Sequence, residues 1–171
     1  KPYILDSVLK EMNKSQHETI NYINQLTNLY PSSKIINACT DITGFGLLGH
    51  LSEMLESTNS DQLKMNLEPL KIILELDHIP VYNGVKELID KGFESTLAPS
   101  NEIFLKNIEG DKNLRFELIY NDLSSNLSFY NTMLKVLVDP QTCGPLVVSC
   151  SSIYSEKLIQ QGPWIKIGFI S

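Results

Sequence analysis

The run Thr40-Asp41-Ile42-Thr43-Gly44-Phe45-Gly46-Leu47-Leu48-Gly49-His50 constrains this chain more than any other stretch. Before it, Ile35-Ile36-Asn37-Ala38-Cys39-Thr40 is short, apolar and β-branched at its start, which reads as a buried strand running into Asp41. After it, Leu47, Leu48, Leu51, Met54 and Leu55 recur on one face at helical spacing, whereas Ser52, Glu53 and Glu56 can face water. The spacing predicts a helix over 43–55 with Leu47, Leu48, Leu51 and Leu55 buried. The residues between are a strand-to-helix junction. Unpaired N–H groups and the positive end of a helix dipole gather there, and glycines let a ligand approach the backbone. A carboxylate at the strand end can hold a hard cation that in turn grips phosphates. Asp41 is therefore the candidate metal ligand and Thr43 the candidate hydroxyl or N-cap. The competing reading makes Asp41 only a helix cap.

Gly44-x-Gly46-x-x-Gly49 also satisfies the dinucleotide fingerprint G-x-G-x-x-G, and Glu68 lies near the acidic position that would hold a ribose. That fingerprint should introduce a βαβ unit and a parallel sheet. A weak loop and a short helix follow instead, which argues against it.

Elsewhere, Ile4, Leu5, Val8, Leu9 and Met12 predict a first helix, and Ile20, Ile23, Leu26 and Tyr30 a second over about 16–30. Ser15 and Glu18 form a capping-box pattern at the second helix's start, and Pro31 follows its end. Alternation of Leu63, Met65 and Leu67 reads as a half-buried strand, and Val85–Lys91 as a short helix stopped by Gly92. Residues 95–113 show little periodicity and read as a long connection or irregular lobe. Phe116, Leu118 and Tyr120 alternate as a strand; Leu134–Val138, Leu146–Cys150 and Trp164–Ile170 read as three more. A helix over about 152–161 is closed by Gly162-Pro163. Interleaved helices and strands point to a mixed α/β (α+β) fold, a mixed sheet packed with helices in a single domain over 1–171.

Composition narrows the function. With 171 residues, 42% of them hydrophobic, one real core is affordable, and a net charge of −6 leaves no basic face for nucleic acid. Apolar stretches fall short of a membrane span, and Lys-Pro-Tyr-Ile does not resemble a signal peptide, so a soluble cytoplasmic chain is expected. Cys39, Cys143 and Cys150 are odd in number and scattered, which suits buried or free thiols in a reducing compartment better than disulfides or zinc. His50 flanks the apolar stripe and reads as a packing or hydrogen-bonding histidine, His17 and His78 suggest no role, and Lys86/Asp90 is ordinary solvated-helix spacing.

Residues 37–54, Asn-Ala-Cys-Thr-Asp-Ile-Thr-Gly-Phe-Gly-Leu-Leu-Gly-His-Leu-Ser-Glu-Met, closely resemble the D-x-T-G-F-G-L-L-G-H signature of the selenophosphate synthetases (selenide, water dikinases). Asp139-Pro140-Gln141-Thr142 resembles that family's second signature, D-P-Q-T-S-G-G-L. Lys1-Pro2 is similar to its K-P-[IL]-G segment, and Ile165-Lys166-Ile167-Gly168 to its I-G motif. The resemblance implies a C-terminal domain like that of aminoimidazole ribonucleotide synthetase, packed on an N-terminal half that binds ATP and dimerises. It implies a reaction in which ATP, water and selenide yield selenophosphate, AMP and phosphate. It also implies that Asp41 joins aspartates of the N-terminal half in holding the Mg2+ ions that bridge the ATP phosphates. Thr43, Gly44 and Gly46 become the candidate nucleotide contacts. Metal bridging suits phosphoryl transfer, which chiefly needs positioning and charge neutralisation.

The family's reactive Cys or selenocysteine and its catalytic Lys belong to an N-terminal Gly-rich segment not found here, so no catalytic residue is assigned in this chain. Cys39 and Cys143 carry no feature that would activate them as substitutes. Where the family has S-G-G, Cys143-Gly144-Pro145 stands, and the proline removes one backbone N–H. The chain alone is expected to be inactive and to bind ATP weakly. Two alternatives remain: another ATP-dependent synthetase or kinase of the same superfamily, or a non-catalytic dimerisation or docking domain.

Overall fold

The computed structural model describes residues 2–108, 115–120 and 127–171. The fold is mixed α/β, as the sequence predicts. Its elements divide between two compact units, Lys1–Ile42 with Cys143–Lys166, and Thr43–Thr142 with Ile167–Ser171.

The first unit holds α1 (Pro2–Met12), α2 (His17–Leu29), β1 (Ile36–Asp41), β4 (Leu146–Cys150) and α7 (Ser152–Gln161). β1 and β4 pair antiparallel, from Ile36 opposite Cys150 to Asp41 opposite Leu146. Burial alternates along β1, so it is a half-buried strand rather than the fully buried one expected; Asn37, Cys39 and Asp41 share its exposed face. Leu26, Ile35 and Leu158 form the unit's core, with Tyr22, Tyr30, Tyr154 and Trp164 packed around them. The capping box does not form. Gln16 occupies the N-cap of α2, and Ser15 Oγ instead accepts from the His17 N–H at 3.2 Å.

The second unit holds α3 (Gly46–Lys64), β2 (Lys71–Glu75), α4 (Val85–Asp90), α5 (Ala98–Ile108), β3 (Arg115–Ile119), α6 (Leu127–Val138) and β5 (Gly168–Ile170). β2 is central in a sheet of order β3-β2-β5, parallel to β3 and antiparallel to β5. Ile72, Ile73 and Leu74 on β2, Leu48, Leu51 and Leu55 on α3, and Met133, Leu137 and Val138 on α6 are buried. α6 packs against α3, α4 and α5.

The fold departs from the sequence expectations in several elements. The stretch Leu134–Val138 is helical, because the apolar spacing of Tyr130, Met133 and Leu137 continues through it and buries one face. Leu63 is in α3, whereas Met65 and Leu67 follow it in a turn and an extended link; all three are exposed, and the strand is the charge-bounded run Lys71–Glu75. Residues 98–108 form a helix, since Pro99 lies in its first turn, where a missing N–H costs little; residues 109–113 of that expected loop lie outside the described residues. The final strand begins only at Gly168. Ser52 is buried and donates to Leu48 O at 2.7 Å, Leu47 is only half-buried, and α3 starts at Gly46 rather than Thr43. Lys86 lies over the Phe129 ring at 4.8 Å, and Asp90 accepts from Thr132 Oγ1, so their spacing is not a simple solvated pair. α4, stopped near Gly92, and α7 stand where expected.

Candidate functional site

Residue 42 ends the first stretch of the first unit, and residue 43 begins the second unit. In the first unit, β1 ends at Asp41, whose side chain is exposed and accepts no hydrogen bond among the described residues. The pairing with β4 continues one step, through the Ile42 N–H donating to Pro145 O at 3.0 Å. Proline is compatible with this place because its carbonyl, not its missing N–H, carries the bond. Gly144 is needed for the close approach: a Cβ there would lie 2.1 Å from Ile42 O. Cys39 stands two residues before Asp41 on the same exposed face, and its thiol is pushed up, first by partial burial and then by the Asp41 charge. A raised thiol pKa leaves less thiolate, which fits a spectator cysteine.

In the second unit, Thr43-Gly44-Phe45 forms the turn that enters α3, closed by the Gly46 N–H donating to Thr43 O at 3.0 Å. His50, buried on the second turn of the helix, reaches back to it. Its Nε2 accepts from the Thr43 N–H at 3.1 Å and lies 3.0 Å from Thr43 Oγ1. With Nε2 accepting, the ring proton belongs on Nδ1, which is 3.2 Å from a Glu53 carboxylate oxygen. His50 is thus a hydrogen-bonding histidine that caps the turn. The exposed Phe45 ring tilts onto its imidazole at 5.7 Å.

Gly46 explains why the helix starts late. Its φ of 69° breaks a helical run from Thr43, and a Cβ would lie 2.7 Å from the Val138 carbonyl carbon. The turn therefore rests on the C-terminal end of α6. Gly44 is different: it is exposed, and a Cβ there would meet nothing within 4 Å. The dinucleotide reading fails at the level of topology. A βαβ unit would put β1 and β2 in one parallel sheet, but they lie in separate sheets and β1 pairs antiparallel with β4.

The second signature meets the first within this unit. Gln141 N–H donates to Thr43 O at 3.0 Å, while Gln141 Nε2 donates to Asp139 Oδ2 at 2.8 Å. Burial pushes the Asp139 carboxyl up, the Gln141 bond pulls it down, and the Glu94 charge pushes it up again. Asn101 of α5 also bonds the turn, donating to Gly44 O at 2.9 Å. No sequence pattern marks Asn101, because its partners are remote in the chain and its own segment reads as a loop.

Among the described residues no three His, Cys, Asp or Glu side chains gather to hold a metal, and no helix is long and apolar enough to cross a membrane. Asp41 offers a hard carboxylate oxygen of the kind that divalent cations such as magnesium prefer.

The family model for the AIR synthase related protein, C-terminal domain, matches residues 5–151. The chain is 36% identical to the selenide, water dikinase of Treponema denticola over 71% of its own length and 28% of that protein. It is 30% identical to that of Caldanaerobacter subterraneus subsp. tengcongensis over 84% of this chain and 35% of the relative. For that of Clostridioides difficile the figures are 27%, 92% and 40%. The chain therefore spans about a third of the length of these curated relatives.

Proposed function

This chain belongs to the AIR synthase related protein family, in its C-terminal domain, and from that premise we propose that it is the C-terminal part of a selenide, water dikinase. In this reading it helps form the magnesium–ATP site at which ATP, selenide and water give selenophosphate, AMP and phosphate. An N-terminal ATP-binding half, outside this chain, supplies the other metal ligands, the reactive residues and the dimer contact.

The observation that carries the reading is Asp41, an exposed carboxylate at the end of β1 with no partner among the described residues, one residue from the glycine turn. An acidic side chain at such a junction can cap the helix, but the Asp41 carboxylate accepts no hydrogen bond among the described residues and so is free for a cation. Bound magnesium neutralises triphosphate charge and polarises phosphoryl oxygens. Asp41 would be one of the residues that hold the metal. Thr43, oriented by His50, and the open face of Gly44 lie beside it in sequence and admit a phosphate close to the backbone. Because the chain carries a net charge of −6, the metal is also what lets it accept a triphosphate.

The test is made on the full-length protein that carries this segment, under anaerobic conditions with magnesium–ATP. Selenide-dependent release of AMP and orthophosphate is the expected result. Release of ADP with a different acceptor would transfer the chain to a kinase of the same superfamily, and no nucleotide turnover at all would make it a docking domain.

A further inference from the structure

The turn at Thr43–Gly46 is held by a residue that no motif announces. Asn101 donates from Nδ2 to two carbonyls, Gly44 O and Val138 O, each at 2.9 Å. Both partners are acceptors only, so the amide orientation is fixed: its oxygen in that place would face two oxygens. One carbonyl belongs to the glycine turn, and the other to the last residue of α6, immediately before Asp139-Pro140-Gln141. Together with the Gln141 bond to Thr43 O and the tight seat of Gly46 on Val138, this ties the two signature turns of the second unit into one body.

The bond to Gly44 also sets a direction. In a trans peptide the carbonyl and the following N–H point opposite ways, and no peptide among the described residues is cis. With its carbonyl drawn to Asn101, the Gly44–Phe45 peptide turns the Phe45 N–H the other way. Among the described residues neither the Gly44 N–H nor the Phe45 N–H donates to a protein acceptor. Two backbone donors are thus left free at the two residues that follow Thr43.

We infer that Asn101 is a positioning residue for magnesium–ATP: by fixing the Gly44–Phe45 peptide plane it presents backbone N–H groups, next to Thr43, to a phosphate oxygen. This rests on the function proposed above and deepens it. Asn101 touches no substrate, so its effect belongs in nucleotide affinity and passes through the turn that carries Thr43.

The experiment compares Asn101→Ala, Thr43→Ala and the double variant in the full-length protein, reading kcat, KM and the calorimetric affinity for magnesium–ATP, and the thermal midpoint. Asn101→Ala is expected to raise both KM and the dissociation constant about tenfold, with kcat at saturation within about threefold of the unaltered protein. The double variant should be no worse than about twofold beyond the poorer single one, because both act on one element. An unchanged KM in folded Asn101→Ala, a loss confined to kcat and thermal midpoint, or additive effects would each overturn the role. If Asn101→Ala fails to fold, Asn101→Ser, which keeps one donor, is read by the same criteria. An unaltered protein without selenide-dependent ATP consumption removes the proposed function and this role with it, whereas an active one with an indifferent Asn101 removes only this role.

Discussion

Asp139 shows how a signature residue can act on stability apart from any chemistry. Burial and the Glu94 charge outweigh the Gln141 bond and raise its carboxyl above the ordinary aspartate value. The folded chain then binds that proton more tightly than the unfolded chain does. Stability is therefore lost as pH rises from the unfolded value, about 3.9, through the folded one. Asp139→Asn should remove this step: its thermal midpoint should match the unaltered protein near pH 3 and exceed it at pH 7. A variant less stable at pH 7 would mean that the Gln141 bond to the ionised carboxylate dominates. At this scale Asp41 and Thr43 were legible as candidates in the sequence, because a carboxylate and a hydroxyl flank glycines where an apolar run changes period. His50 was legible as a packing or hydrogen-bonding histidine, but that its partner is Thr43 was not. Asn101 and the backbone bond of Gln141 to Thr43 were not legible, since they join segments that only the packing of α3, α5 and α6 brings together.

The elements around the junction explain why two of its glycines differ. Gly46 has a left-handed φ and backbone of α6 within 3 Å of its missing Cβ, so Gly46→Ala should cost about 1–3 kcal/mol in a denaturant titration. Gly44→Ala, with open space around it, should cost less than about 1 kcal/mol; equal costs would contradict the seating of the turn on α6. The same packing accounts for the elements that sequence reasoning misread. The five residues Leu134–Val138, four of them apolar, are too few to separate period two from period 3.6, and the surrounding helices decide for α6. β2 hid because its buried centre, Ile72–Leu74, has no alternation, whereas the exposed Leu63, Met65 and Leu67 imitate one. β1, β4, α2 and α7 were legible because each carries its own boundary signals in turn residues or a clean period.

For the whole molecule, the proposed function divides labour between this chain and a partner half. Spanning about a third of its relatives' length and offering one free carboxylate at the junction, the 171-residue chain by itself should bind magnesium–ATP only weakly. A calorimetric dissociation constant below about 10 μM would mean a complete nucleotide site within these residues. Mixed α/β architecture was legible from the interleaving of elements, but the division of the strands into two sheets was not, because strand partners are set by tertiary packing. The most direct measurement is magnesium-dependent, selenide-stimulated ATP turnover by the full-length protein carrying Asp41→Asn. Asp41 is exposed, so an isosteric amide should leave the thermal midpoint within about 2 °C. Outer partners of metal ligands are already worth about 10–100-fold, so loss of a direct ligand should lower turnover at least about a hundredfold. Normal turnover by that variant would contradict the account and leave Asp41 as nothing more than the end of a strand.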